Sequence, residues 1–333
     1  MYTLIESKAE IAKAQKTLEA TIRQSFKTTV VKDIGWVGGR LKQETLHVQN
    51  GYWFFSSDYK EGANPKRLNW FGKHGDGPGV QIAVEVNVPY AGRNDMLAGF
   101  FARHNDTGRV YLFHTGRVGG GAKGVSKEAF LAWTALKPAT VVDANGDARD
   151  AIVVMPIEGR GATRSAVDYV QSIVDFKQAV RDGATNTPEA KERERLLKAF
   201  YEESSGRRKG KARARDIDYV SRHGDVVKAL SAWRKAGGLV RGEKLVKNVL
   251  IDLGVKRAGA LVEVYEVKTS SSRGDVYTAI GQLTVHSPDE ACRQVMVLPA
   301  DDALKADLAA ALERNGIELI RYRLSETAAT ILA

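Results

Sequence analysis

The segment that most constrains this chain is residues 250–269, Leu-Ile-Asp-Leu-Gly-Val-Lys-Arg-Ala-Gly-Ala-Leu-Val-Glu-Val-Tyr-Glu-Val-Lys-Thr. Two apolar runs flank a Lys-Arg-Ala-Gly turn, which is the pattern of a β-hairpin. Side chains alternate across a strand, so Glu266 and Lys268 share one face of the second run and Glu263 takes the other. Glu263 is therefore assigned to structure. Folding about the turn brings Asp252 roughly opposite Glu266. Two carboxylates and an ammonium then sit together on a strand of Val, Leu and Ile. Such a cluster is costly to bury unless a metal ion and a substrate offset it, which makes it a candidate active site.

The rest of the sequence narrows what that site can belong to. A chain of 333 residues is long enough for two domains, and a hydrophobic content of 43% suits a globular protein. No apolar run reaches the roughly 18 residues of a transmembrane helix. The N-terminus lacks the basic-then-apolar order of a secretory signal. The single cysteine, Cys292, excludes an intrachain disulfide and a Cys-rich zinc site, and a cytoplasmic location is expected. A formal charge of +10 favours a polyanionic partner, nucleic acid first, because phosphate contacts release condensed counterions.

Three parts are expected along the chain: a β-rich α+β N-terminal domain (1–182), a charged and basic linker (183–216), and an α/β C-terminal domain (217–333). Leu4, Ile11 and Leu18 at heptad spacing predict an amphipathic helix over 4–26. Short β-rich runs follow, then helices at 126–136 and 166–180. The linker carries a charged helix at 188–201 and the basic run Ser-Ser-Gly-Arg-Arg-Lys-Gly-Lys-Ala-Arg-Ala-Arg. After 216 the pattern predicts helix 218–236, strands 245–254 and 261–269, and helix 275–286 with Asp275 as N-cap. Strand 294–299, helix 301–315 closed by Gly316, and strand 317–324 complete it.

Phosphodiester hydrolysis needs an activated water, neutralisation of the phosphorane-like transition state and help for the leaving oxygen. Carboxylate-held Mg²⁺ supplies much of this, and a nearby lysine orients the water. Asp252, Glu266 and Lys268 provide those parts, with the Val267 carbonyl as an extra metal ligand.

On these residues, Asp252 followed by Glu266-Val267-Lys268 in a helix–strand–strand–helix–strand order, the C-terminal half resembles the PD-(D/E)xK nuclease superfamily. Ile251 stands where that family has proline. The segment Gly281-Gln282-Leu283-Thr284-Val285-His286 is similar to the Q-x-x-x-Y element of RecB-like nucleases, with histidine in place of tyrosine. The resemblance covers residues 216–324 and implies a restriction-endonuclease-like fold, a central mixed sheet flanked by helices. It implies Mg²⁺ as cofactor, with Mn²⁺ as a substitute, bound by Asp252, Glu266 and Val267. It also implies a role for Gln282 and a metal-ligating histidine, for which His223 is the candidate.

DNA contacts are expected from Arg207, Arg208, Lys209, Lys211 and Arg213 of the basic run, from Arg117 and Lys123 of the Gly-rich stretch 116–124, and from Trp70. Trp36 and Trp70, each near a glycine, are expected to be exposed. The expected function is a Mg²⁺-dependent DNA endonuclease, a restriction or defence enzyme whose N-terminal domain reads double-stranded DNA, including modified bases. Cutting both strands implies a homodimer. A structure-directed repair or recombination nuclease, or a silent DNA-binding protein on the same fold, remain alternatives.

Overall fold

The computed structural model describes the chain apart from residues 1, 106, 120–123, 135, 137, 160–161, 206–217, 326–327 and 333, and apart from the side chains of 198–205 and 218–222. The chain is a mixed α/β protein and divides into two compact units, one within Met1–Lys191 and one C-terminal to it.

The N-terminal unit holds strands β1 (Tyr2–Leu4), β2 (Thr28–Trp36), β3 (Gly39–Gln49), β4 (Tyr52–Tyr59), β5 (Lys66–Lys73), β6 (Gly79–Gln81), β7 (Val84–Glu85), β8 (Val88–Pro89), β9 (Gly99–His104), β10 (Val110–His114), β11 (Ala139–Val142) and β12 (Ala148–Pro156). Its helices are α1 (Lys8–Ser25), α2 (Lys127–Thr134) and α3 (Ala162–Arg181). Five strands close into a barrel in the order β1-β11-β12-β10-β9, and the others form a sheet in the order β6-β2-β3-β4-β5-β7 with β8 beside β5. The heptad reading is corrected at its start. Leu4 belongs to β1, which pairs with β9 and β11 and closes the barrel, so strand pairing overrides the helical period there. From Lys8 onward α1 buries Ile11, Ala14, Leu18 and Ile22 as one stripe.

The C-terminal unit is a single six-stranded sheet with helices on both faces. After α4 (Pro188–Ser205) and α5 (Asp218–Ala236) come β13 (Glu243–Val246), β14 (Leu253–Arg257), β15 (Ala260–Val267), α6 (Arg273–His286), β16 (Arg293–Pro299), α7 (Ala306–Arg314), β17 (Ile317–Leu324) and β18 (Ala329–Leu332). The strands lie in sequence order, parallel at β15–β16 and β16–β17 and antiparallel elsewhere. Alternation along β15 explains the layering. Tyr265 and Val267 join Val226, Val227 and Leu230 of α5 in one core, while Val264 joins Val276 and Leu283 of α6 and Leu308 and Leu312 of α7 in the other.

Two turns fix where the charged residues of this sheet fall. The single strand expected over 245–254 is broken, because the Asn248 side-chain oxygen accepts from the Leu250 and Ile251 amides at 2.8 and 3.1 Å. Such a turn is what asparagine does well, and it ends β13 and re-aims the chain into β14. The hairpin turn itself is Ala258-Gly259, both at positive φ (50° and 89°), as a two-residue β-hairpin loop demands. Beyond the hairpin, Ser272 rather than Asp275 is the N-cap of α6, and its side chain accepts from the Asp275 amide.

Candidate active site

Counting from the Ala258-Gly259 turn, a regular hairpin would place Asp252 level with Tyr265. The register shifts by one between Val255 and Lys256, so that Leu253 pairs with Tyr265 and Asp252 comes level with Glu266. One extra residue in β15 thus decides which side chain Asp252 meets, since a one-residue slip exchanges the two faces of a strand.

The sheet brings six of the expected residues, His223, Asp252, Glu266, Val267, Lys268 and Gln282, together at the end of β15. Asp252 Oδ2 accepts from the Val267 amide at 2.9 Å and lies 2.9 Å from His223 Nε2 on α5. Lys268 Nζ donates to Glu266 Oε1 at 2.7 Å and to Gln282 Oε1 of α6 at 2.7 Å. Asp252, Glu266 and Lys268 are 5%, 1% and 6% exposed. The peptide of Lys268 is pinned as well: its amide donates to the Val297 carbonyl at 2.9 Å, and its carbonyl accepts from the Tyr322 hydroxyl at 3.1 Å. His286 is the last residue of α6, one turn beyond Gln282.

Glu263 is the contrast. Arg234 of α5 grips both its oxygens at 2.8 Å, and the Tyr265 hydroxyl donates to it at 2.5 Å. Burial alone would raise its pKa, but these hydrogen bonds and the nearby Arg234 and Arg293 charges hold it below the ordinary glutamate value. Glu263 is thus tied into a structural network on the α5 face.

Asn248 and Lys247 lie beside the cluster, and the sequence reading did not single them out. Lys247 begins the loop that ends at Asp252. Its pKa is lowered chiefly by burial, then by the charges of Lys235 and Lys228, against the opposing pull of Asp252. A half-buried lysine among lysines next to a carboxylate cluster is suited to an incoming phosphate. Its position inside an apparently continuous apolar run hid it, and the only signal was the turn-forming Asn248 beside it.

Among the described residues no group of three or more His, Cys, Asp and Glu side chains is arranged to hold a metal ion. Two oxygen-donating carboxylates still fit Mg²⁺, which keeps several waters and takes one or two carboxylates plus substrate phosphate oxygens.

The expected DNA-contacting residues divide differently. Arg117 is exposed. Arg207, Arg208, Lys209, Lys211, Arg213 and Lys123 lie outside the described residues. Trp70 is corrected: it is 6% exposed and packs in the core of the N-terminal sheet against Phe55, under Trp36, whose ring is 5.5 Å away and 38% exposed. Both faces of β5 are covered, so a tryptophan at its middle has no route to solvent. Trp36, at the end of β2, is the open member of the pair.

No protein-family model, curated protein or solved structure matches this chain.

Proposed function

We propose that the C-terminal unit is a Mg²⁺-dependent DNA endonuclease of restriction-endonuclease-like fold. The observation that carries this is the buried Glu266–Lys268 pair, joined by Gln282 and lying beside Asp252, at the C-terminal end of β15. A buried ion pair is no more stabilising than apolar residues of the same volume, so stability alone does not explain it. An ammonium held between a carboxylate and an amide is placed to act on a reacting water.

In this reading Asp252 and Glu266 would hold the cation, which when bound polarises a phosphate oxygen and lowers the pKa of water. Lys268 orients the attacking water and balances the charge that builds on phosphorus. Water oxygen forms a bond to phosphorus, the bond to the leaving sugar oxygen breaks, and that oxygen takes up a proton. Gln282 fixes the lysine, and His223 orients Asp252. A cluster with one Lys268 cuts one strand at a time, so double-strand cleavage calls for a homodimer. The N-terminal unit is proposed as the DNA-reading half of a restriction or defence enzyme, with Trp36 rather than Trp70 offered for stacking on a base.

The test is plasmid cleavage with Mg²⁺ or Mn²⁺, on modified and unmodified DNA, comparing the native chain with Lys268→Ala and Asp252→Ala. Cleavage by the native chain and none by the variants is expected. Failure of the native chain to cut either DNA, or equal cutting by the variants, sinks the assignment.

A further inference from the structure

Resting on that nuclease reading, we infer that Tyr322 is a positioning residue that holds the Lys268 peptide, and through it the ammonium, in register for the reaction. Tyr322 stands on β17, two strands away from β15. It is 1% exposed within the core that also holds Val267 and Val297. Its hydroxyl reaches the Lys268 carbonyl at 3.1 Å, immediately beyond the end of β15.

Ladder pairing with β16 ends at Val267 and Val297, and past that point the Lys268 amide donates to the Val297 carbonyl. Where the ladder has ended, the Tyr322 phenol donates to the Lys268 carbonyl. A phenylalanine would fill the same core volume without a polar atom to satisfy. The side chain of Lys268 must meet both Glu266 and Gln282 at 2.7 Å, and a rotation of its peptide would move the ammonium off one of them. Fixing the backbone of a reacting group by a buried hydrogen bond is the support such a site needs.

Tyr265 provides an internal control. It is fully buried in the same core, and its hydroxyl also makes a hydrogen bond, but to Glu263 on the structural side of the strand. The experiment compares Tyr322→Phe with Tyr265→Phe in the full-length chain. Tyr322→Phe is expected to lower kcat for plasmid cleavage about tenfold, the equivalent of one hydrogen bond, with KM unchanged. Tyr265→Phe should leave kcat as it is. Hydrogen exchange measured without DNA or metal reports the clamp independently: amides of residues 267–270 should exchange faster in Tyr322→Phe and not in Tyr265→Phe. Equal kcat in the two variants, or unchanged exchange at 267–270, overturns the inference. A native chain that does not cut, with exchange still faster in Tyr322→Phe, overturns the nuclease reading and with it the positioning of Lys268 for a reaction, while locating the failure in the chemistry rather than the clamp.

Discussion

Replacing Lys268 by methionine keeps most of the side-chain volume and removes the ammonium, so it isolates the charge. Glu266 would then be a carboxylate 1% exposed that has lost its 2.7 Å partner. Breaking a buried pair in this way costs about 3–5 kcal/mol. For a unit of this size each kcal/mol moves Tm by about 4 °C, so a fall of roughly 12–20 °C is expected. Glu266→Gln should also destabilise, by leaving the ammonium without its carboxylate. The double variant Lys268→Met/Glu266→Gln should regain much of the loss, because neither charge is left alone. Mg²⁺ adds a second axis. At 100 times its dissociation constant a ligand of the native state contributes about 2.7 kcal/mol. That increment should be larger in Lys268→Met, where the Glu266 charge lacks its counter-ion, than in the native chain. Differential scanning calorimetry with and without Mg²⁺ reads all four proteins. A double variant whose loss equals the sum of the singles would refute the coupling, and a Mg²⁺ shift no larger in Lys268→Met would refute the role of Glu266 toward the cation.

Other outcomes rest on single contacts. Gln282→Leu should cut about tenfold or more slowly with unchanged DNA affinity, read by single-turnover cleavage, because Lys268 loses an acceptor that aims it. Arg234→Met should lower Tm by a comparable amount to Lys268→Met yet leave the cleavage rate per folded molecule intact, since its partners are Glu263, Glu243 and the Gly238 carbonyl. Lys247→Ala should weaken DNA binding and flatten the plot of log K against log[salt] by about one phosphate contact. In the N-terminal unit, burial and then the charges of Lys127, Arg117 and Lys177 push His114 down from 6.5 to about 3. The unfolded chain therefore takes up a proton near pH 6.5 that the folded chain refuses. The contribution present above pH 6.5 declines as pH falls, by about 5 kcal/mol on reaching pH 3. Urea unfolding of His114→Gln across that range should show a shallower acid slope than the native chain.

Much of the C-terminal unit was legible because its elements have strong periods and clear ends. The predicted helix 218–236 and strand 317–324 match α5 and β17 at both limits. Gly316, at φ 62°, supplies the left-handed residue that separates helix from strand. The errors have physical causes. Asn248 looked like one polar residue in a strand, but its side chain captures two amides and divides the run. Residues 301–305 precede α7 rather than begin it, and Asp302 instead accepts from the Ser271 amide, a contact between segments far apart in sequence. β18 is four residues long, and its existence depends on pairing with β17, which no local pattern encodes. Trp70 was misplaced because a glycine neighbour says nothing about whether both faces of a strand are covered.

The site itself was partly readable for a different reason. Glu263 and Glu266 lie three apart on one strand, both paired with a cation, and alternation alone separates them into opposite faces. What alternation could not supply is the kind of pairing each receives. Glu263 meets a guanidinium from α5, whose planar fork covers both oxygens and locks helix to sheet. Glu266 meets the ammonium of its own strand, a point charge that Gln282 shares. Arginine in that second position would fix the carboxylate as firmly as it fixes Glu263, and would put a delocalised cation in place of a compact ammonium. The same strand thus carries one acid fastened to α5 by a guanidinium and one held by an ammonium that Gln282 also binds. The register shift at Val255/Lys256 brings Asp252 level with the second and not with Tyr265. Lengthening or shortening β15 by one residue between that shift and Glu266 would turn Glu266 and Lys268 to the opposite face, away from Asp252, with the E-x-K tripeptide itself unchanged. The spacing to Asp252, more than the tripeptide, is therefore what brings the three charged residues of the proposed site together.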